Sequence, residues 1–409
     1  MKKFVLCFIL SFVLFASAFC PQTASANQSA NYNDFATYNW LEKFLTENPS
    51  RTTGTSGEAT AGIWLDNELK KMGFATESQI FDVNVSTVAG AEQKTAKSKN
   101  IIAKYGNHSG KQTVIIGAHY DNATNLFSGG FVSGGEGAMD NGSGVAVVLA
   151  VAQKVAIKQP DLPFNVEFVF FGAEELGMVG SNHYVSKLSA QQKDNVLLMI
   201  NADVVASGDN LYVWGEDIKN PQANYFAQIS NGKIKKTPAD TKVVGIGSGY
   251  RPYYSVCQMS DHIEFLSAGI PVAMFFSGNF SGTSFAENKG KQDISHTKND
   301  TLNYLKNNFG IDFVNNMECV ADVIYKGVVQ NADEFVLSVK NARNYIISDF
   351  WLGTGNALII LIVLMAGAGL FAYNYYKKLQ KRAILGDAHI KTGTVFTKPD
   401  DDDIFTFRS

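Results

Sequence analysis

Short apolar runs recur through the middle of the chain: NIIAKY from Asn100, TVIIGAHYD from Thr113, VEFVFFG from Val166, VLLMINAD from Val196 and IPVAMFF from Ile270. Their length, their content of Val, Ile and Phe and the polar clusters between them predict β-strands. Several run apolar without alternation, as strands covered on both faces do. Between the second and third lies SGVAVVLAVAQKVAIK, Ser143 to Lys158, long and helical in composition. Strands and helices alternating in this way predict an α/β fold with a mostly parallel central sheet and helices on both faces.

Two helices are expected ahead of the strands. Asn33 can cap one carrying Phe35, Leu41, Phe44 and Leu45 that stops before Pro49; a second, with Leu65, Leu69 and Met72, ends at Gly73. Near the other end Phe313, Met317, Val320, Ala321 and Ile324 recur at helical spacing and predict a last helix packing on the sheet. No linker or shift in composition interrupts residues 27–345, so one domain is expected there.

The two ends carry a different pattern. Lys2 and Lys3 precede an apolar stretch, and Ala24-Ser25-Ala26 offers a small-residue cleavage site, so residues 1–26 read as a secretory signal. Phe19 before Cys20 argues against a lipoprotein signal. Phe350 to Tyr373 contains no charged residue and is long enough to cross a bilayer, with Trp351 and Tyr373 near the interfaces. Lys377, Lys378, Lys381 and Arg382 follow it, which puts the tail, residues 374–409, in the cytoplasm and the domain on the periplasmic or extracellular side. Asp400 to Asp403 mark that tail as solvated.

Composition adds exclusions. With 45% hydrophobic residues and a net charge of −3, the chain can bury a large core and has no basic footprint for nucleic acid. Beyond the signal only Cys257 and Cys319 remain, and two cysteines this far apart give no framework pattern, leaving their pairing open.

Candidate chemistry sits where the apolar runs end. His119 and Asp121 follow VIIGA, Glu174 and Glu175 follow VEFVFFGA, and Asp203 follows VLLMIN. Ligands of parallel sheets bind at the carboxyl ends of strands. Asp140 lies in GAMDNGSG and His296 in SHTKNDT. Each has an ordinary reading alone: the glutamates as a helix start, Asn141-Gly142 as a turn, His296 as a surface residue. Together, His119, Asp140, Glu175, Asp203 and His296 form a nitrogen and oxygen set suited to zinc and too rich in histidine for calcium.

The ordered series GAHYDN, GAMDNGSG, GAEELG, NADVV, SDHIEFLSAGIP and SHTKNDT resembles the aminopeptidase Y family of dinuclear zinc exopeptidases. The resemblance implies two zinc ions per chain, one held by His119 and Asp203, the other by Glu175 and His296, with Asp140 bridging. It gives Glu174 the role of general acid and base and Asp121 that of orienting His119. It also implies a cis peptide at Asp140-Asn141. Ser295 and Met259 depart from residues some members carry, which leaves oxyanion stabilisation unassigned.

The function implied is removal of N-terminal residues from peptides on the outer side of a membrane, with one C-terminal helix as anchor. Related chemistries compete. A carboxypeptidase or dipeptidase needs a cation for the substrate carboxylate, for which Arg251 is the candidate, and a glutaminyl cyclase works with one zinc. Tyr250, Tyr253, Tyr254, Phe275 and Phe276 are candidates for an apolar side-chain pocket, or plain core.

Overall fold

The computed structural model describes residues 31–85, 94–106, 112–123, 135–207, 210–215, 221–236, 260–278 and 294–340. The expected signal, membrane helix and tail lie outside these residues, as do Arg251, Tyr250, Tyr253, Tyr254 and Cys257. Among the described residues no helix is long and apolar enough to cross a membrane. The helices are α1 (Ala36–Glu47), α2 (Ser56–Lys71), α3 (Ser143–Lys158), α4 (Val179–Lys187), α5 (Ala190–Asn195), α6 (Pro221–Ile229), α7 (His262–Ser267), α8 (Leu302–Phe309) and α9 (Asp312–Ile324). The strands are β1 (Ala75–Val85), β2 (Lys94–Tyr105), β3 (Thr113–His119), β4 (Asn165–Phe171), β5 (Val196–Ala202), β6 (Asn210–Trp214), β7 (Ile234–Lys236) and β8 (Val272–Gly278).

Helix α1 buries Tyr38, Leu41, Phe44 and Leu45 and stops where Pro49 would disfavour further turns. Its start differs from expectation. Asn33 lies inside a short 3-10 turn, Tyr32–Asp34, which Asn31 caps, and α1 begins after Phe35 with no side-chain cap. Helix α2 ends as the sequence predicts: Gly73, at φ +95°, donates its N–H to Lys70 O, and Phe74 donates to Leu69 O. That pair of bonds is a Schellman motif, which needs a left-handed residue and so favours glycine.

Eight strands form one sheet in the order β1-β2-β4-β3-β5-β8-β6-β7. The central four, β4-β3-β5-β8, are parallel throughout, and the expected α/β class with a parallel centre is what the chain adopts. The run from Asn100 departs from that expectation. It belongs to β2, which pairs antiparallel with both β1 and β4. Strands β1 and β2 pair along their whole length, from Ala75 with Lys104 to Val85 with Lys94, and β2 adds to β4 in the same antiparallel sense.

Helix α3 lies across the sheet, packed on β3, β5 and β4, and its residues from Ser143 to Ala152 are all buried. Helix α9 does bury Phe313, Met317, Val320, Ala321 and Ile324, but it packs on α3 and α1 rather than on the sheet. Residues 143–152 of α3 are buried on every side because α3 is sandwiched between the two layers. Cys319 on α9 is partly buried. Phe275 and Phe276, candidates for a pocket wall, are buried on opposite faces of β8, in separate core clusters. A strand paired on both edges and covered on both faces turns aromatic side chains into core.

Parallel register aligns strand ends. His119 at the end of β3 stands opposite Phe171 at the end of β4, and Gly117 opposite Asn201 in β5. The polar residues that follow these three strands therefore emerge at one edge of the sheet.

Candidate metal centre

Asp140 lies between two imidazoles. Its Oδ1 is 3.2 Å from His119 Nε2 and its Oδ2 is 3.2 Å from His296 Nε2. Each imidazole has a second carboxylate: Asp203 Oδ1 lies 3.3 Å from His119 Nε2, and Glu175 Oε2 lies 2.9 Å from His296 Nε2. The other oxygen of Glu175 accepts the Ala123 N–H at 2.8 Å. Glu174 stands back, its Oε2 4.0 Å from His119 Nε2. One ligand atom each from His119, Asp140 and Glu175 fall within 4.8 Å of one another. Imidazole nitrogen and carboxylate oxygen form a borderline donor set, and a shared carboxylate between two such pairs fits a divalent ion of the zinc type.

The backbone around this ring is held by buried side chains. The Asp140-Asn141 peptide is cis, as the resemblance implies. Asp300 accepts from the N–H of Met139 at 2.6 Å and of Asp140 at 3.1 Å. Asn141 donates to Ala202 O and accepts from the N–H of Gly144 and of Val204, tying the loop of Asp140 to the end of β5. A Cβ at Gly144 would come within 2.1 Å of Ala202 O and 2.4 Å of Asn141 Oδ1, so the start of α3 needs a glycine.

Asp121 meets His119 differently from expectation. The nearest acceptor to His119 Nδ1 is the Asp121 backbone oxygen at 3.2 Å, with the carboxylate at 3.6 Å. The carboxylate instead accepts from Thr53 Oγ1 at 2.6 Å and from the N–H groups of Glu174 and Glu175 at 3.0 and 3.2 Å. The amides at the turn after β4 and the imidazole share this carboxylate.

Arg51 is fully buried and its guanidinium donates to four backbone carbonyls: Tyr120 at 2.7 Å, Asn48 at 3.1 Å, Glu136 at 2.8 Å and Gly137 at 2.9 Å. It joins the end of β3 to the loop of Asp140. Burial lowers its pKa to about 10, against the raising influence of Asp300, Asp121 and Asp140. Arg51→Met would orphan those carbonyls, each of which costs on the order of 1–3 kcal/mol when buried without a partner. Relaxation of the loop recovers part of that, and we expect a loss of about 3 kcal/mol. In urea unfolding the midpoint should fall with an unchanged slope; a parental midpoint would show that the carbonyls find other donors.

The electrostatics follow from crowding acids around two histidines. Burial opposes charge on His119, but Asp203, Glu174, Asp121 and Asp140 outweigh it and raise its pKa well above the ordinary value. Burial likewise opposes charge on His296, and hydrogen bonds to Asp140 and Glu175 push it up to about 12. Asp140 is buried too, yet the two imidazoles hold it far below the usual carboxylate range. Burial first, then the charge on Asp140, push Glu175 up to about 7. Glu174 is raised well above its usual value by burial, with Asp261, Glu175 and Asp203 adding to the effect and His119 opposing it.

The model of peptidase family M28 matches residues 100–318, more than half of the chain. The chain belongs to peptidase family M28. Among curated relatives, this M28 chain is 30% identical over 232 residues to the leupeptin-inactivating enzyme 1 of Streptomyces exfoliatus, covering 56% of this chain and 45% of that one. It is 31% identical over 214 residues to the aminopeptidase YwaD of Bacillus subtilis, covering 51% and 40%. The chain thus spans about half the length of the curated relatives it matches. Its fold is similar to that of a zinc aminopeptidase from Bacillus subtilis, with a TM-score of 0.53 at 17% identity over 71% of this chain and 95% of that one. It is also similar to the glutaminyl cyclase of Porphyromonas gingivalis, with a TM-score of 0.52 at 21% identity over 74% and 98%.

The structure brings His119, Asp121, Asp140, Glu174, Glu175, Asp203 and His296 into one cluster, whereas Arg251 lies outside the described residues. Sequence reasoning missed Arg51, Asp300 and Asp261. Asp300 stands in the quoted SHTKNDT block and Asp261 in SDHIEFLSAGIP, so the motifs contained them without revealing a role. Asp261 is fully buried, and burial pushes its carboxyl up to about 7. Nothing in the pattern around Arg51 marks it, because its partners are main-chain carbonyls, three of the four far away in sequence.

Proposed function

We propose that this chain is a zinc aminopeptidase of the aminopeptidase Y type that removes N-terminal residues from peptides. The observation that carries the reading is Asp140, one carboxylate shared between His119 and His296, each with its own further carboxylate. Two zinc ions fit that symmetry: His119 and Asp203 on one side, Glu175 and His296 on the other, Asp140 common to both. Bound zinc supplies Lewis acidity for a peptide carbonyl and acidifies water.

The chain's own groups supply the proton traffic and the charge pattern. Glu174 takes a proton from the attacking water as its oxygen bonds to the carbonyl carbon. It returns that proton to the leaving nitrogen as the C–N bond breaks. Burial among other acids raises its pKa well above the usual carboxylate value, which makes it a stronger base than an ordinary glutamate. The four carboxylates Asp140, Glu174, Glu175 and Asp203 would balance the charge of two zinc ions, so the preference for a free amine at the substrate end rests on the aminopeptidase relatives rather than on net charge.

Support for the outward, membrane-anchored placement is in the sequence: the signal pattern of residues 1–26, the uncharged stretch 350–373 and the basic residues after it.

The deciding experiment offers free-amine aminoacyl anilides and their N-acetylated forms. Hydrolysis of the first with at least hundredfold loss on the second is the expected result. Release of C-terminal residues from N-acetylated peptides would replace the reading with a carboxypeptidase. The fold is also that of glutaminyl cyclases, so cyclisation of N-terminal glutamine by protein with one zinc would replace it with that activity.

A further inference from the structure

Every backbone N–H from Gly172 to Glu175 donates to a side-chain oxygen. Gly172 donates to Asn100 Oδ1 at 3.3 Å, Ala173 to Glu58 Oε1 at 3.1 Å, and Glu174 and Glu175 to the two oxygens of Asp121. Successive N–H groups of a turn make an anion-binding concavity, and here protein carboxylates fill it. Asp121 reaches it from the end of β3. Glu58 reaches it from α2, outside the residues that the family model matches.

Glu58 lies in the first turn of α2, where an acid is already favoured by the helix dipole and would ordinarily point to solvent. Instead it is fully buried. Its Oε2 accepts the Gly54 N–H at 2.6 Å, and its Oε1 accepts both the Ser98 hydroxyl and the Ala173 N–H. Room for it depends on Gly172: a Cβ there would lie 2.9 Å from Glu58 Oε1 and 2.4 Å from Ser98 Oγ. Burying a carboxyl here is costly, since burial and then the charge on Asp121 push it up to about 8. The contacts it makes must offset that cost.

What those contacts hold is Ala173 at φ 57° and ψ 34°. The left-handed region is unfavourable for a residue with a Cβ, and it persists where surrounding structure over-determines it. Directly after it the chain makes a 3-10 turn, Glu174–Leu176. Within that turn Glu174 lies toward His119 and Glu175 toward His296. Neighbouring residues on a regular strand or helix would diverge differently, and an extended Ala173 would redirect both.

We propose that Glu58 is a positioning residue for the glutamate pair: by taking the Ala173 N–H it fixes the left-handed turn that separates Glu174 and Glu175 into their two places. Thr53, in the connection just before α2, does the matching job on Asp121. The start of α2 and the connection before it are thereby part of the active site. The kinetic consequence rests on the hydrolase reading above; the structural consequence does not.

The test compares the parent chain with Glu58→Ala and Glu58→Gln by amide hydrogen exchange over residues 172–176, zinc content and steady-state kinetics on an aminoacyl anilide. For Glu58→Ala we expect exchange at least tenfold faster, kcat at least tenfold lower, KM within about threefold of the parent and weaker retention of zinc, because Glu175 is a candidate ligand. Glu58→Gln keeps one acceptor oxygen, enough for Ala173 or Gly54 but not both, and should fall between. Parental exchange in Glu58→Ala, or a loss confined to KM, overturns the proposal. If Glu58→Ala fails to fold, Glu58→Gln decides by the same measurements: faster exchange with kcat at least threefold lower supports it, and parental values overturn it. An inactive parent would count against the proposed function and leave the exchange measurement to judge Glu58.

Discussion

Glu174→Gln should retain its zinc and lose kcat by about 10² to 10⁴, because the change removes a proton carrier and leaves every candidate ligand in place. That factor corresponds to about 3 to 5.5 kcal/mol of barrier. The geometry is the reason for expecting so clean a separation. Glu174 Oε2 stands 4.0 Å from His119 Nε2, whereas the oxygens of Asp140, Asp203 and Glu175 lie within 3.3 Å of an imidazole nitrogen. Its backbone N–H, not its carboxylate, is tied to Asp121, so the amide can occupy the same place without disturbing the turn. KM should change by less than about threefold, since substrate and transition state lose binding unequally only at the proton-transfer step. Metal analysis and kinetics on the same preparation check this. Loss of zinc in Glu174→Gln would mean that the adjacent glutamates have exchanged roles, and near-parental kcat would remove Glu174 from the proton path.

The contrast between Glu174 and Glu175 also shows what the sequence made legible. Strand ends could be read because buried parallel strands are apolar throughout and their first polar residue marks the exit; this located His119, Glu174, Glu175 and Asp203. The antiparallel run of β2 has the same apolar character, and composition does not record strand direction, so Asn100 to Tyr105 read like the rest. Asp140 and His296 gained meaning only in combination, since a turn aspartate and a loop histidine are common. The braces were invisible. Arg51, Glu58, Asp300 and Asn141 act on main-chain N–H and C=O groups, and those are present at every position whatever the side chain. A hydrogen bond from Met139 to Asp300, or from Ala173 to Glu58, spans more than a hundred residues of sequence and leaves no periodicity behind.

Asp140 carries the largest expected effect of any single residue. Asp140→Ala should abolish binding of both zinc ions, not one, and with it all measurable hydrolysis. Each of its oxygens faces a different imidazole at 3.2 Å, so its removal subtracts a donor from both halves of the site and the negative charge that keeps them together. Two cations held close repel strongly where the surroundings are poorly polarisable, and a shared carboxylate is what offsets this. The remaining sets, His119 with Asp203 and His296 with Glu175, are two-donor sites, and structural or catalytic zinc ordinarily takes at least three protein ligands. The fold itself should survive. Asp300 holds this loop through the N–H groups of Met139 and Asp140, contacts that do not involve the Asp140 side chain. Zinc titration calorimetry, metal analysis after dialysis and circular dichroism on Asp140→Ala test these expectations together. Retention of one tightly held ion with parental secondary structure would show that the two halves bind independently, and the dinuclear assignment would give way to a single-zinc site.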